Sequence, residues 1–495
     1  MTWNDILVPS ASNFEGKVIF TKKFDLSSSL LTSHSFKFVA YGMNYMAEVF
    51  LNEIFVGKHE GGYTSFSFLV PENTLQVGNE NFIRVVVDNT LNAKSTLPLR
   101  QQVGGWKNYG GILRDIFLVA TPVVWIDDVL VETESIDPKF VKLSVHAVVS
   151  ARDISKLTFA NHTGPAIMSY AVEISEKATG AITGKSTPLF FSPEANKDMT
   201  LQTTVVIPTA KLWSLDQPNL YMVRTTVSPI AGKVVTLVDE VKLQTGIRTI
   251  GKEKQNIMFN GAPVKLRGVT WTEDSPDHGG ALSYEQMEKD IALIKNLGAN
   301  TVRFAFHPPH PFLLQLCDQY GLLAIEEIPL YEVPADILTG ENYRTLAENY
   351  TREMIRRDRN HPSLIEWGLG DGFEATNTRT AAVIEQLHGV VKSMDKRLTY
   401  FIAMSPENTP ASSIVDIAGV RLSNPDVKEF KAMLAQWKQS HPAQHVIVGR
   451  YGKAIETGNR NGYSDPMSQE AQARYLFQRY DALKESAIAG GFVWG

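Results

Sequence analysis

The feature of this sequence that most constrains its fold is a change of hydrophobic period near residue 266. Before it, short runs alternate apolar and polar residues between clusters of Gly, Pro, Asn and Ser; Ala47-Glu48-Val49-Phe50-Leu51 and Phe82-Ile83-Arg84-Val85-Val86-Val87 are examples. A period of two sets one face of each run on a core and the other in water, so this half of the chain predicts antiparallel β-sandwiches. The strand-like Ile116-Phe117-Leu118-Val119 is followed by a break at Thr121-Pro122, and strands resume at Trp125. Two sandwiches are therefore expected, a jelly roll over 1–122 and an immunoglobulin-like one over 123–249. Asn260-Gly261 lies between two apolar runs and predicts a two-residue hairpin, because both central positions of a type I′ turn need positive φ. That hairpin introduces a third domain over 250–495.

From residue 266 strand-like runs alternate with stretches of helical period, the pattern of βαβ units. Strands are expected at 266–271, 299–306, 322–327, 364–370, 398–405, 414–421, 445–450 and 490–494. Helices are expected between them, the first opening on Ser283-Tyr284-Glu285-Gln286, a capping box. Eight strands with intervening helices predict a (β/α)8 TIM barrel, whose chemistry sits on the loops at the strand C-termini. A doubly wound sheet is the competing arrangement, and it would want a Gly-rich phosphate loop after the first strand, where none occurs. The sequence reaches Trp494-Gly495 directly after the eighth strand, without the helix that normally closes such a barrel. Either a longer parent protein is expected, or a groove covered by a second copy or a partner chain.

Composition narrows the partners. With 43% hydrophobic and 20% charged residues the chain can bury a large core, which excludes disordered and fibrous classes. Its 48 basic and 53 acidic residues leave a net charge of -5 and no basic run, so nucleic acid is not an expected partner. Cys317 is the only cysteine, and it falls in an apolar helical stripe with Phe312, Leu313 and Leu316, which predicts packing. No His-x-His or His-Glu-x-x-His spacing occurs, and neither metal nor cofactor is expected. No apolar run approaches the ~20 residues that span a bilayer. The start, Met1-Thr2-Trp3-Asn4-Asp5, lacks a basic and apolar leader, so the expected setting is the cytoplasm, or the periplasm or exterior with a leader removed.

Six stretches carry a family resemblance in a consistent order. They are His59-Glu60-Gly61-Gly62-Tyr63-Thr64, Trp106-Lys107-Asn108-Tyr109-Gly110-Gly111-Ile112-Leu113-Arg114-Asp115, Leu212-Trp213-Ser214-Leu215-Asp216-Gln217-Pro218-Asn219-Leu220-Tyr221, Leu266-Arg267-Gly268-Val269, Leu316-Cys317-Asp318-Gln319-Tyr320-Gly321-Leu322-Leu323 and Arg359-Asn360-His361-Pro362-Ser363-Leu364-Ile365-Glu366-Trp367. Together they resemble glycoside hydrolase family 2, the β-galactosidase and β-glucuronidase family of retaining exo-glycosidases. The resemblance implies a jelly-roll sugar-binding-like domain, an immunoglobulin-like sandwich and a catalytic (β/α)8 barrel.

Retaining hydrolysis needs two carboxyl groups about 5 to 5.5 Å apart, one protonating the leaving oxygen and one attacking the anomeric carbon. The resemblance implies an acid/base Glu after strand four, in a Trp-Ser-Leu-Gly-Asn-Glu pattern, and a nucleophilic Glu before Tyr-Gly after strand seven. Here the first run reads Trp367-Gly368-Leu369-Gly370-Asp371-Gly372, and the second ends Gly449-Arg450-Tyr451-Gly452. Gly372 and Arg450 occupy the two carboxylate positions. Other pocket positions differ as well: Phe306 and Thr272 stand where the family has His, and Arg421-Leu422-Ser423 replaces Asn-x-Tyr.

The leading expectation is a family 2-like protein that binds carbohydrate, an anionic one included, without standard retaining hydrolysis. Its pocket would be built by Arg303, His307, Glu327, Asp371, Arg450, Tyr451 and Trp494. An active β-glycosidase with displaced carboxylates, drawn from Glu374, Glu327 and Asp371, is the second reading, and a structural scaffold docking a partner chain is the third. Arg450 is expected first of all to pair with Asp371 or Glu327, and otherwise to hold an anionic sugar group. Among the aromatic residues, Trp494 is the expected sugar platform, while Trp367 is expected to pack.

Overall fold

The structure, a computed structural model, describes residues 5–494 apart from 79, 93, 95, 98–101, 104–105, 153–165, 231–238, 254–255, 373–376, 405–408, 423–425 and 443. Two β-sandwiches precede a closed eight-stranded barrel. In the first sandwich one sheet orders its strands Lys17–Phe24, Asn81–Asp88, Met46–Leu51 and Ile54–Glu60, and the facing sheet contains Ile116–Thr121, Ser35–Ala40 and Phe66–Leu69. Alternation works as expected: Ala47, Val49 and Leu51 are buried while Met46, Glu48 and Phe50 are not. The second sandwich sets Val124–Ile136, Phe140–Ala151 and Asp198–Pro208 against a sheet containing Met168–Glu176, Tyr221–Pro229 and Asp239–Thr245. Asn260 and Gly261 take φ of 50° and 77° between the paired Phe259 and Ala262, as a type I′ hairpin demands.

The barrel strands are β1 (Leu266–Trp271), β2 (Thr301–Phe304), β3 (Leu323–Glu327), β4 (Leu364–Asp371), β5 (Leu398–Ala403), β6 (Ile417–Arg421), β7 (His445–Tyr451) and β8 (Gly490–Val493). All pair in parallel, and β8 closes on β1. Helices α1 (Tyr284–Asn296), α2 (Pro311–Tyr320), α3 (Glu341–Asp358), α4 (Thr378–Met394), α5 (Pro410–Ile414), α6 (Val427–Ser440) and α7 (Gln469–Glu485) lie between them. Inward residues Leu323, Ile325, Leu398, Ile402, Ile417, Ile447 and Phe492 fill the interior, while their neighbours pack outward beneath the helices. Cys317 is fully buried in that outer layer.

Three local expectations need correction. The hydroxyl of Ser283 accepts from the Gln286 N–H at 3.2 Å, but the Gln286 amide donates to Asp290, so the capping box is half formed. Strand β2 stops at Phe304 because Phe306 turns to a φ of 71° and gives its N–H to Glu327. Strand β6 starts at Ile417, since the short α5 occupies the residues before it. Among the described residues no helix is long and apolar enough to cross a membrane.

Candidate functional site

Alternation along β2, β3, β5 and β6 points Arg303, Glu327, Tyr400 and Arg421 into the barrel, and a polar ring forms at its C-terminal mouth. Arg303 Nη2 donates to both oxygens of Glu327 at 2.9 Å and to Asp371 at 2.7 Å, and Nη1 donates to the Gly449 carbonyl at 2.8 Å. Glu327 also accepts from the Phe306 N–H and the Tyr400 hydroxyl, each at 2.8 Å. Arg421 donates to Asp371 at 2.7 Å and to Glu332 at 2.6 Å. Arg303, Glu327 and Asp371 are at most 1% exposed, so these charges persist only because each has a partner. Burial pushes Glu327 above the usual carboxylate range; Arg303 pulls it back and the neighbouring Asp371 charge lifts it again. For Arg303 burial works against the charge, yet Glu327 and Asp371 outweigh it and raise the guanidinium above its ordinary value.

Gly372 and Arg450 sit at the rim of this ring. Gly372 has a φ of 73°, and a Cβ placed on it would fall on the Arg421 guanidinium. The space of a side chain at this position is filled by a cation. On β7 the register shifts between Val448 and Tyr451, a bulge that breaks the alternation. Strict alternation would turn Arg450 outward, since Val446 and Val448 pack in the outer layer. The bulge instead brings Arg450 to the mouth, over the Trp494 ring at 4.2 Å and with Nη1 donating to the Tyr331 hydroxyl at 3.4 Å.

The expected pairing of Arg450 with Asp371 or Glu327 is therefore corrected. Arg303 and Arg421 already saturate those carboxylates, and among the described residues Arg450 has no carboxylate partner. The structure thus gathers Arg303, Glu327, Asp371, Arg450 and Trp494. It does not bring Tyr451 to the mouth: the same bulge turns that side chain outward, where its ring lies 6.2 Å from Phe430 on α6. His307 is 2% exposed and stacks on Tyr63 of the first sandwich at 3.8 Å, its Nδ1 against the Pro308 carbonyl. Burial lowers its pKa to about 4, with Glu273 opposing and Arg114 adding to the shift. Glu374 lies outside the described residues. Trp367 is fully buried in the outer layer, as packing predicts.

Several members of the site were missed from the sequence. Arg421 was visible as a departure from the family pattern, but only the folded ring shows that it neutralises Asp371 and Glu332. Tyr331 has its ring face 4.6 Å from Arg421 and packs edge-on against Phe306 at 4.4 Å. Beside the mouth a cleft of about 870 Å3 opens between the chain start and the loop after β1, lined by Thr270, Thr272, Asp274, Lys107, Tyr109 and Trp494. Its size suits one or a few sugar rings. Behind it Arg114 of the first sandwich, 0% exposed, grips Glu273 after β1 at 2.7 and 3.2 Å and binds the Tyr63 and Pro308 carbonyls.

Known proteins with this architecture place the chain. Residues 250–490 match the family described as glycosyl hydrolases family 2, TIM barrel domain, and 124–248 match glycosyl hydrolases family 2. Residues 2–93 match the β-galactosidase second all-beta domain. The chain belongs to glycoside hydrolase family 2. Within it, the chain is similar to a β-galactosidase of Thermoanaerobacterium thermosulfurigenes, 31% identical over 331 residues that cover 66% of this chain and 43% of that protein. It is 24% identical to a β-glucuronidase of Bacteroides fragilis, over 92% of this chain and 66% of the relative. A solved structure, Bacteroides uniformis β-glucuronidase 2 covalently bound to cyclophellitol-6-carboxylate aziridine, superposes with a TM-score of 0.88 at 26% identity, covering 100% of this chain and 61% of that one. The chain thus spans only about two fifths to two thirds of the length of these family 2 relatives.

Proposed function

We propose that this family 2 protein acts on carbohydrate through the barrel mouth, holding a sugar beside Trp494 and Arg450 without running the two-carboxylate retaining reaction. The observation that carries the reading is the position of Arg421. A positioned acid/base contributes about 10² to 10⁴ to rate, and residue 372 has no side chain, while a Cβ placed there would require the Arg421 guanidinium to shift. At residue 450 a guanidinium stands where a nucleophilic carboxylate would be needed. A unit charge about 4 Å away is worth on the order of 4 kcal/mol at an effective dielectric near 20, so Arg450 repels the oxocarbenium-like centre that a carboxylate would attract.

A second reading has its own support: the relatives are named β-galactosidase and β-glucuronidase, which favours hydrolysis by relocated carboxylates over a pure binding protein. Glu327 and Asp371 are within reach of the mouth, but both are buried and tied to Arg303, and Glu374 follows Gly372 by two residues. Aryl β-galactosides, β-glucuronides, β-mannosides and β-glucosides at high protein concentration separate the two. Binding without turnover is the expected result. Turnover that Glu374→Gln or Glu327→Gln removes, with folding intact, overturns it in favour of the second reading.

A further inference from the structure

We infer that the barrel mouth recognises an oxyanion carried on or next to the anomeric carbon of its sugar, as in a glycosyl phosphate or a sugar acid carboxylated there, with Arg450 as the counter-charge. The inference rests on the reading that the mouth binds carbohydrate, and it adds which end of the sugar carries the charge.

The charges of the ring single out one residue. Arg303 is shared by Glu327 and Asp371, and Arg421 by Asp371 and Glu332. Arg450, among the described residues, has only an aromatic face and one phenol. Arg421 and Arg450 are also register partners on β6 and β7, and the Leu422 N–H donates to the Arg450 carbonyl at 2.9 Å. The guanidinium is already oriented before any ligand arrives, since the β7 bulge aims it, Trp494 supports one face, and Tyr331 anchors one amino group. Its planar fork fits two oxygens of a phosphate or carboxylate.

Position supplies the remaining step. By the resemblance of Gly449-Arg450-Tyr451-Gly452 to the family's nucleophile stretch, residue 450 stands where a retaining nucleophile would reach the anomeric carbon. An anion satisfying Arg450 therefore sits at that end of the ring and not on the far exocyclic carbon. A neutral sugar bound in the same pose would cover Arg450 and take away its water without offering a charge.

The test is a calorimetric titration of the full chain with galactose 1-phosphate, galactonate, galactose 6-phosphate, glucuronate, methyl β-galactoside and inorganic phosphate, at low and physiological salt. The 1-phosphate or the aldonate is expected to bind at least tenfold tighter than the methyl glycoside, the 6-phosphate and glucuronate, and to weaken with salt. Arg450→Met should remove that preference, and Arg450→Lys, which keeps charge without the fork, should retain part of it. A preference for galactose 6-phosphate or glucuronate overturns the placement of the anion. Equal binding of charged and neutral sugars overturns the anion class while leaving carbohydrate binding in place. Inorganic phosphate binding as tightly as the sugar phosphates reduces the mouth to a free-phosphate site and overturns the inference. Failure of every sugar to bind overturns this inference and the carbohydrate reading together, whereas turnover of aryl glycosides overturns the non-hydrolytic reading alone.

Discussion

Two regions of this molecule bury an arginine with a glutamate, and they solve the charge problem differently. At the junction of first sandwich and barrel, Arg114 and Glu273 are at most 1% exposed and closed on every side: carboxylate, two carbonyls and the His310 N–H complete the set. At the barrel mouth Arg303, Glu327, Asp371 and Arg421 form a paired ring in which Arg303 Nε and Arg421 Nη2 make no hydrogen bond, and a further guanidinium stands at its rim with no carboxylate partner among the described residues. The junction is a brace, whose charges answer only one another. The mouth sets Arg303, Arg421 and Arg450 beside Glu327, Asp371 and Glu332, and Arg450 is the one of these cations that meets no carboxylate among the described residues.

The sharpest way to break this comparison is to remove one cation from each region. Arg114→Met and Arg303→Met should each cost about 3 to 5 kcal/mol in urea unfolding, because each leaves buried carboxylate uncompensated. A small loss for either would mean that water enters the region. Next comes the role of Arg421. The double variant Gly372→Glu, Arg450→Glu is expected to stay silent on aryl glycosides, since Arg421 occupies the space of the new side chain and residue 372 keeps a left-handed φ. Adding Arg421→Asn should bring out turnover by about 10² to 10⁴-fold over the double variant. Equal activity of double and triple variants would show that Arg421 does not guard the position.

A third prediction uses a buried carboxyl outside both regions. Burial, and then the Asp416 charge, raise Glu366 to about 8 in the folded protein. Between its ordinary value of 4.5 and about 8 the unfolded chain releases a proton that the folded chain keeps, so stability falls as pH rises through that window. Glu366→Gln should flatten the fall and gain on the order of 2 to 4 kcal/mol at pH 8 relative to pH 4.5. Thermal melts of both forms across pH check this, and parallel curves would refute it. The smallest effect belongs to Arg450: Arg450→Met should change stability by less than about 0.5 kcal/mol in unfolding experiments, because no carboxylate among the described residues is abandoned. A loss of the size seen for Arg303→Met would place Arg450 among the braces.

Much of this could be read before folding. The barrel announces itself through the switch from a two-residue to a helical period, and Asn260-Gly261 through its demand for positive φ; both are local properties of the chain. Alternation also aims Arg303 and Glu327 inward, because side chains on a strand have no other choice than two faces. That Gly stands at 372 and Arg at 450 is a matter of sequence alone. Local pattern fails where neighbours bend it. Tyr451 was expected at the mouth and faces α6, because a bulge shifts β7 by one residue against β8. His307, counted among the pocket residues although its neighbours Phe306, Pro308 and Pro309 favour packing, is packed: it stacks on Tyr63, a residue from the first sandwich and far earlier in the chain.

What the sequence determined, then, is the architecture and which residues stand at 372 and 450, since periodicity and residue identity are written position by position. What only the tertiary structure decided is how the charges are shared out: Arg421, not Arg450, meets Asp371, and a side chain's place at Gly372 is already taken. Pairing in a barrel depends on which strand tips meet and where a bulge falls, and those are properties of the closed sheet.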